Sequence, residues 1–265
     1  MIHEPEARRL RELGVEQMQL SVYSHRPEVH DAITKLPGSL KRTVDSIKFL
    51  KSQGLKVTLS NMLMTVNRND HKGTQALAKQ LGIAYTLDPT VTPMMDGNTS
   101  NLHLRVDDDN LDQLFADPEL VGNVEEYCKP PAPVDEDAME GYSCSAGHTA
   151  CYISPYGDVF PCVQFPLPTG NVRRQKFADM WYRSPQMQEV RSIKIKDLTV
   201  CSSCSHAGTC SRCPGLAYME GSMRGPSTTD CEKSFHRTGI PSANMLRKAG
   251  MGAGGPLVQI LPMGL

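Results

Sequence analysis

Eight of the nine cysteines in the 265-residue chain lie between Cys144 and Cys231. They run Cys144-x6-Cys151-x10-Cys162, then Cys201-x2-Cys204-x5-Cys210-x2-Cys213, then Cys231. Few core-forming residues surround them, and eight thiolates suffice for two four-ligand metal centres. Thiolates are soft ligands that suit zinc, copper(I) and iron–sulfur clusters. A cubane iron–sulfur cluster takes four cysteine thiolates, so two clusters use all eight. The Cys201–Cys213 group alone fits a structural zinc knuckle about equally well. The upstream cysteines and Cys231 move the balance to two centres. Cys128 stands outside the run and reads as a small buried hydrophobe, with substitution for Cys151 as a ligand the alternative.

Whether such an array forms disulfides or binds metal depends on the compartment. The opening MIHEPEARRLREL is charged and has no apolar core of signal-peptide length. No stretch approaches the roughly 18 consecutive apolar residues of a membrane span. The expectation is a cytoplasmic protein with no membrane partner, where dense cysteines are metal-binding or catalytic before they are disulfides. Charge is balanced, with 28 basic and 29 acidic residues. That leaves no basic footprint for nucleic acid.

Two compositions meet along the chain. The first part alternates helical and strand patterns. Glu4–Leu13 reads as a helix with Leu10 and Leu13 inward, and Gln17–Ser24 as a strand. Ser39–Gln53, with Leu40, Val44, Ile47 and Leu50 at helical spacing, reads as a helix stopped by Gly54. Lys56–Met64 follows as a buried strand, Gly73–Leu81 as a helix and Ile83–Leu87 as a strand. This β-α-β-α-β order predicts a parallel α/β sheet. Asp107–Phe115 reads as a short helix opened by its aspartates, and Lys129–Asp137 as a Pro-rich crossing loop. In the Cys-rich part, Ala150–Ser154 and Val159–Pro161 flank Gly157 as a small hairpin. Helices are expected at Phe177–Tyr182 and Pro185–Ile193. The tail from Gly250 reads as loosely held apart from Leu257–Leu261. The resulting division is 1–105, a linker at 106–143, the Cys-rich domain at 144–238 and a tail at 239–265.

The pattern C-x12-G-x4-C (Cys144, Gly157, Cys162), then C-x2-C-x5-C-x2-C, then Cys231, resembles the SPASM domain of radical S-adenosylmethionine (SAM) enzymes. That family includes peptide maturases and anaerobic sulfatase maturases. Ile153-Ser154-Pro155-Tyr156-Gly157-Asp158-Val159-Phe160-Pro161-Cys162, Gly170-Asn171-Val172 and Cys213-Pro214-Gly215 add to the likeness. The x2 between Cys210 and Cys213 departs from the x3 common in sulfatase maturases. The resemblance implies two [4Fe–4S] clusters. Cys144, Cys151, Cys162 and Cys213 would hold the first; Cys201, Cys204, Cys210 and Cys231 would hold the second. The crossing of Cys213 to the first set is implied by resemblance alone. His148 and His206 lie among the cysteines, and each reads as a solvated or backbone-bonded loop histidine before a ligand.

Residues 1–105 are similar to the second half of a radical SAM partial (β/α)6 barrel. The likeness rests on Gln19-Leu20-Ser21-Val22-Tyr23-Ser24, His30-Asp31, Thr34, Pro37-Gly38-Ser39, Leu63-Met64 and Asn67. Ser21 resembles a position that contacts bound SAM, with an ordinary barrel-lining serine equally open. His30-Asp31 is expected to fix the loop after its strand. The family's C-x3-C-x2-C motif, which binds the SAM-cleaving cluster, has no counterpart, since no cysteine precedes Cys128. The family's Gly-rich loop is missing too. The expectation is therefore the C-terminal portion of a maturase, which should not cleave SAM by itself. SAM would bind only in a complete enzyme. An exposed edge at Gln17–Ser24 and apolar surface are expected to need a covering partner or self-pairing.

Sulfatase maturases carry an aspartate directly after the hairpin cysteine; here Val163 and Gln164 follow Cys162. That argues against formylglycine formation and assigns no catalytic residue. The favoured function is an auxiliary-cluster module of a maturase of ribosomal peptides. Its partners would be a peptide substrate, a missing half or upstream protein, and a reductant such as ferredoxin or flavodoxin. A stand-alone iron–sulfur electron carrier and, less favoured, a zinc-binding interaction protein are the alternatives.

Overall fold

The structure is a computed structural model and describes residues 2–131 and 134–250. The tail signal at Leu257–Leu261, and two positions of the Lys129–Asp137 loop, lie outside the described residues. The chain divides into two compact units, one over 1–93 and 99–120, the other over 94–98 and from Val121 onward.

The first unit is built from α1 (Glu4–Glu12), β1 (Gln17–Ser21), α2 (Pro27–Thr34), α3 (Ser39–Ser52), β2 (Lys56–Met62), α4 (His71–Leu81), β3 (Ala84–Asp88) and α5 (Asp108–Phe115). The short α6 (Pro118–Val121) ends it. The three strands form one parallel sheet in the order β1-β2-β3, in register Gln17↔Lys56 and Thr58↔Ala84. Helices cover one face only. Met18, Leu20 and Val57 pack with Ala7, Ile47 and Leu50, and Leu59 and Tyr85 pack with Leu40 and Ala78. The opposite face carries Gln17, Gln19 and Ser21, paired in register with Lys56, Thr58 and Ser60. Gln17, Gln19 and Ser21 are exposed, so this strand face is polar.

Two local expectations change. Leu13 is exposed, not inward, because α1 stops at Glu12 and Gly14, at a φ of 80°, turns the chain away; Ala7 is the buried residue. The β1 ladder ends at Ser21 because side chains take over the backbone of Tyr23. Its N–H donates to His30 Nδ1 at 3.1 Å, and its carbonyl accepts from Asn61 and Asn67 at 3.1 and 2.6 Å. Asp31 in turn accepts from Ser39 Oγ and Leu40 N–H at 2.8 and 3.0 Å, which anchors the start of α3. His30-Asp31 thus fixes the loop after β1. Asp107 opens α5 by accepting the Asn110 N–H.

The second unit runs α7 (Val124–Cys128), α8 (Glu136–Met139), β4 (Tyr152–Ile153), β5 (Asp158–Phe160), β6 (Gly170–Asn171), α9 (Phe177–Arg183), α10 (Pro185–Ser192), α11 (Pro214–Met219), α12 (Thr228–Thr238) and α13 (Ala243–Lys248). The hairpin β4-β5 forms around Gly157, whose φ of 93° suits only glycine readily, and β6 adds a third antiparallel strand. Phe165, Ala146, Val190, Ile193, Leu198 and Met223 make a small core against which Cys144, Cys162 and Cys201 pack. Among the described residues, no helix is long and apolar enough to cross a membrane.

Candidate metal centre

Four cysteines border one cavity of about 240 Å³: Cys201, Cys204 and Cys210 from one loop, and Cys231 from farther along the chain. A 3-10 turn at 201–203 presents the first pair. Cys231 lies in the first turn of α12, which Ser227 opens by accepting the Asp230 N–H. The start of α13 donates its Ala243 N–H to Cys204 Sγ at 3.4 Å. Burial raises the Cys231 thiol, while hydrogen bonds from Ser242 and Asn244 draw it down. Burial likewise raises Cys210, opposed by Ser234. The Cys201 thiol is pushed up to about 11, first by burial, with Arg212 opposing and Cys231, Cys204 and Cys210 adding to the push. Thiols that raise one another stand close together, and hydrogen bonds aimed at sulfur favour the thiolate that binds metal.

The cavity suits a group of several atoms. A zinc ion needs sulfurs at about 2.3 Å from one centre. The donor set, four soft thiols bordering one cavity, fits a cubane.

Cys213 turns elsewhere, although it is only three residues from Cys210. Its Sγ lies 3.6 Å from Gln164 Oε1 and accepts the Leu216 N–H at 3.5 Å. Burial raises its thiol, and Cys144 adds to the rise. Cys144 Sγ accepts the Ala146 N–H at 3.4 Å and shares a small pocket with Pro214 and Phe165. Cys162 bridges to Phe165 in the turn after β5. Gly215 explains the Cys-Pro-Gly sequence: a Cβ there would stand 2.2 Å from the Gln164 carbonyl oxygen. The close approach of α11 to that turn brings Cys213 to the Cys162 side. Cys151 is exposed just before β4, and its thiol is raised by burial with no other cysteine bearing on it. Cys128 ends α7, which packs against α12, the helix of Cys231.

His206 is buried in the wall of the Cys201/Cys204/Cys210/Cys231 cavity, and its Nε2 lies 2.9 Å from the Ile240 carbonyl. It is the backbone-bonded histidine expected. His148 is half-buried against Tyr142, with ring centroids 4.0 Å apart. Ser21 stands exposed at the C-terminal end of β1 on the polar face. Sequence reasoning missed the contribution of α13, whose Ser242 cap was the available signal, and that of Arg212.

Residues 144–205 match the SPASM iron–sulfur cluster-binding domain. Sequence and fold together are similar to radical SAM enzymes that carry this domain. Among the relatives, the AdoMet-dependent heme synthase of Methanosarcina barkeri is 25% identical over 233 residues, 79% of this chain and 65% of that protein. The AdoMet-dependent heme synthase of Oleidesulfovibrio alaskensis is 24% identical over 243 residues, 80% of this chain and 60% of that protein. The chain therefore spans less than two thirds of these relatives. Among solved structures, anSMEcpe with bound AdoMet superposes with a TM-score of 0.55 at 13% identity, over 94% of this chain and 73% of that one. Streptococcus suis SuiB bound to S-adenosylmethionine gives 0.54 at 18%, over 81% and 53%. At such identities the structural likeness speaks for the fold.

Proposed function

We propose that the chain supplies the auxiliary iron–sulfur module and part of the barrel of a radical SAM enzyme. Cys201, Cys204, Cys210 and Cys231 hold one [4Fe–4S] cluster, and Cys144, Cys151, Cys162 and Cys213 hold another. The observation that carries this reading is the cavity bordered by four cysteines, three from one loop and one from α12. Support for the Cys144/Cys151/Cys162/Cys213 set comes from Cys210 lining the cavity while Cys213 Sγ lies beside Gln164, and from Cys144 sharing a pocket with Pro214. When bound, the clusters supply one-electron transfer or an open iron for substrate. The chain's own residues fix the thiolates and donate hydrogen bonds to sulfur.

In the first unit, helices on one face and Gln17, Gln19 and Ser21 on the other fit a half barrel whose polar face lines a lumen. A doubly wound sheet would carry apolar residues on both faces. Ser21 then contacts SAM in the complete enzyme. The SAM-cleaving cluster comes from outside these 265 residues, because they contain no C-x3-C-x2-C. It is reduced by a ferredoxin or flavodoxin.

For the substrate, the heme synthase relatives favour a tetrapyrrole. A ribosomal peptide is the second reading; SuiB has been solved bound to the precursor peptide SuiA. Iron and sulfide analysis with an electronic spectrum on anaerobically prepared protein tests the module. About eight irons and a broad visible band are expected, and fewer than about four irons overturn the two-cluster assignment. Colourless protein containing zinc would replace it with a structural zinc site. Quenching of Trp181 fluorescence by an iron porphyrin, against a leader-type peptide, decides between the substrates.

A further inference from the structure

Arg212 is only 5% exposed and lies on the wall of the Cys201/Cys204/Cys210/Cys231 cavity, between Cys210 and Cys213 in sequence. Its Nε donates to the Gly225 carbonyl at 2.8 Å, and its Nη2 donates to the Met223 and Gly225 carbonyls, each at 2.5 Å. These bonds hold the 223–225 turn and leave Nη1 buried without a hydrogen-bond partner. A guanidinium keeps its charge in any protein environment, and burying it without a counter-ion is costly. Among the described residues no carboxylate pairs with it. Asp230, the acid on the same wall, gives one oxygen to the Cys213 N–H and the other to Lys233. The cation therefore lines the same cavity as four thiols that give up protons when they bind metal.

We propose that Arg212 is the counter-charge of the second site, with Nη1 donating a charge-assisted hydrogen bond to sulfur of the bound cluster and raising its reduction potential. This rests on the iron–sulfur reading above. One electron from dithionite, itself oxidised to sulfite, takes the cluster core from its 2+ to its 1+ level. The cluster with its four thiolates passes from dianion to trianion, with no bond broken and no proton moved. A buried cation stabilises the trianion more than the dianion, which raises the potential. Gln164, the side chain facing Cys213, carries no such charge.

The test uses the full chain, loaded anaerobically with iron and sulfide, as wild type, Arg212→Met and Arg212→Lys. Potentials are read by redox titration followed by electron paramagnetic resonance. In Arg212→Met, one of two potentials falls while iron content holds. The oxidised-to-reduced ratio of that cluster at fixed potential rises about tenfold, or about 59 mV for a one-electron couple. Arg212→Lys shifts it less. Unmoved potentials in a fully loaded Arg212→Met protein overturn the proposal. Should that variant not fold, wild type labelled with 15N-arginine gives a second reading. A 15N coupling to the reduced cluster that is lost in Arg212→Lys upholds the assignment, and no coupling in wild type overturns it. A wild-type chain that takes up no iron instead defeats the iron–sulfur reading itself.

Discussion

The Asp230 carboxylate accepts the backbone N–H of Cys213 at 2.7 Å. The residue beside Cys231 thereby fixes the loop that presents Cys213, and each cysteine set depends on the placing of the other. Asp230→Ala leaves a part-buried N–H unsatisfied, a loss of about 1 kcal/mol. The variant is expected to melt earlier and bind less iron than wild type, with Asp230→Asn milder because its amide oxygen still accepts. Calorimetry and iron analysis check this. Wild-type values in Asp230→Ala would remove the linkage.

Shared ligation has a signature in non-additive losses. Cys204→Ser and Cys231→Ser should each lower iron from about eight to about four per chain, and the double variant should lose no more. Adding Cys213→Ser should remove the remainder. A stepwise fall across the Cys204/Cys231 pair would show that the two do not serve one cluster.

Gly215→Ala forces a methyl group to within 2.2 Å of the Gln164 carbonyl, in the turn that follows Cys162. Backbone cannot yield as a flexible side chain can, so α11 must move. The expected result is loss of iron confined to the Cys144/Cys162/Cys213 site, with the other cluster's resonance retained. Equal loss from both clusters would count against this local effect.

The first unit should be acid-sensitive through His30. Burial lowers its pKa below the usual 6.5, against the pull of the neighbouring Asp31 charge. Its Nδ1 must stay unprotonated to accept the Tyr23 N–H. Below about pH 6.5 the unfolded chain binds a proton that the folded chain resists, so stability falls as pH falls through that value. Denaturant midpoints measured from pH 7.5 to 5 should decline, and His30→Asn, which keeps an acceptor without titrating, should flatten the slope. A wild-type midpoint constant over that range would contradict the role.

Much of the α/β order was legible because strands and helices there follow simple apolar periodicity: Leu40, Ile47 and Leu50 are buried on α3, and Leu59 lies at the centre of β2. The end of β1 was not legible, because Asn61, Asn67 and His30 capture the Tyr23 backbone from other elements. Cysteine spacing marked the metal-binding region, yet adjacency along the chain misleads within it. Cys210 and Cys213 are neighbours in sequence and face different surroundings, decided by the packing of α11 on the Gln164 turn. Arg212 was missed because a lone arginine in a loop reads as solvated. Only its three bonds to carbonyls reveal a buried cation.

The three-residue step from Cys210 to Cys213 also acts as a ruler. A chain this short keeps the two anchoring Cα atoms at most about 11 Å apart. With one redox centre hung from each end, as proposed above, a charge added to the first would be felt at the second by on the order of 1 kcal/mol. Filling one centre would then make filling the other harder, and the two potentials read in a titration would belong to the pair rather than to either centre. Lengthening the step by a single residue would loosen that mutual repulsion along with the tether.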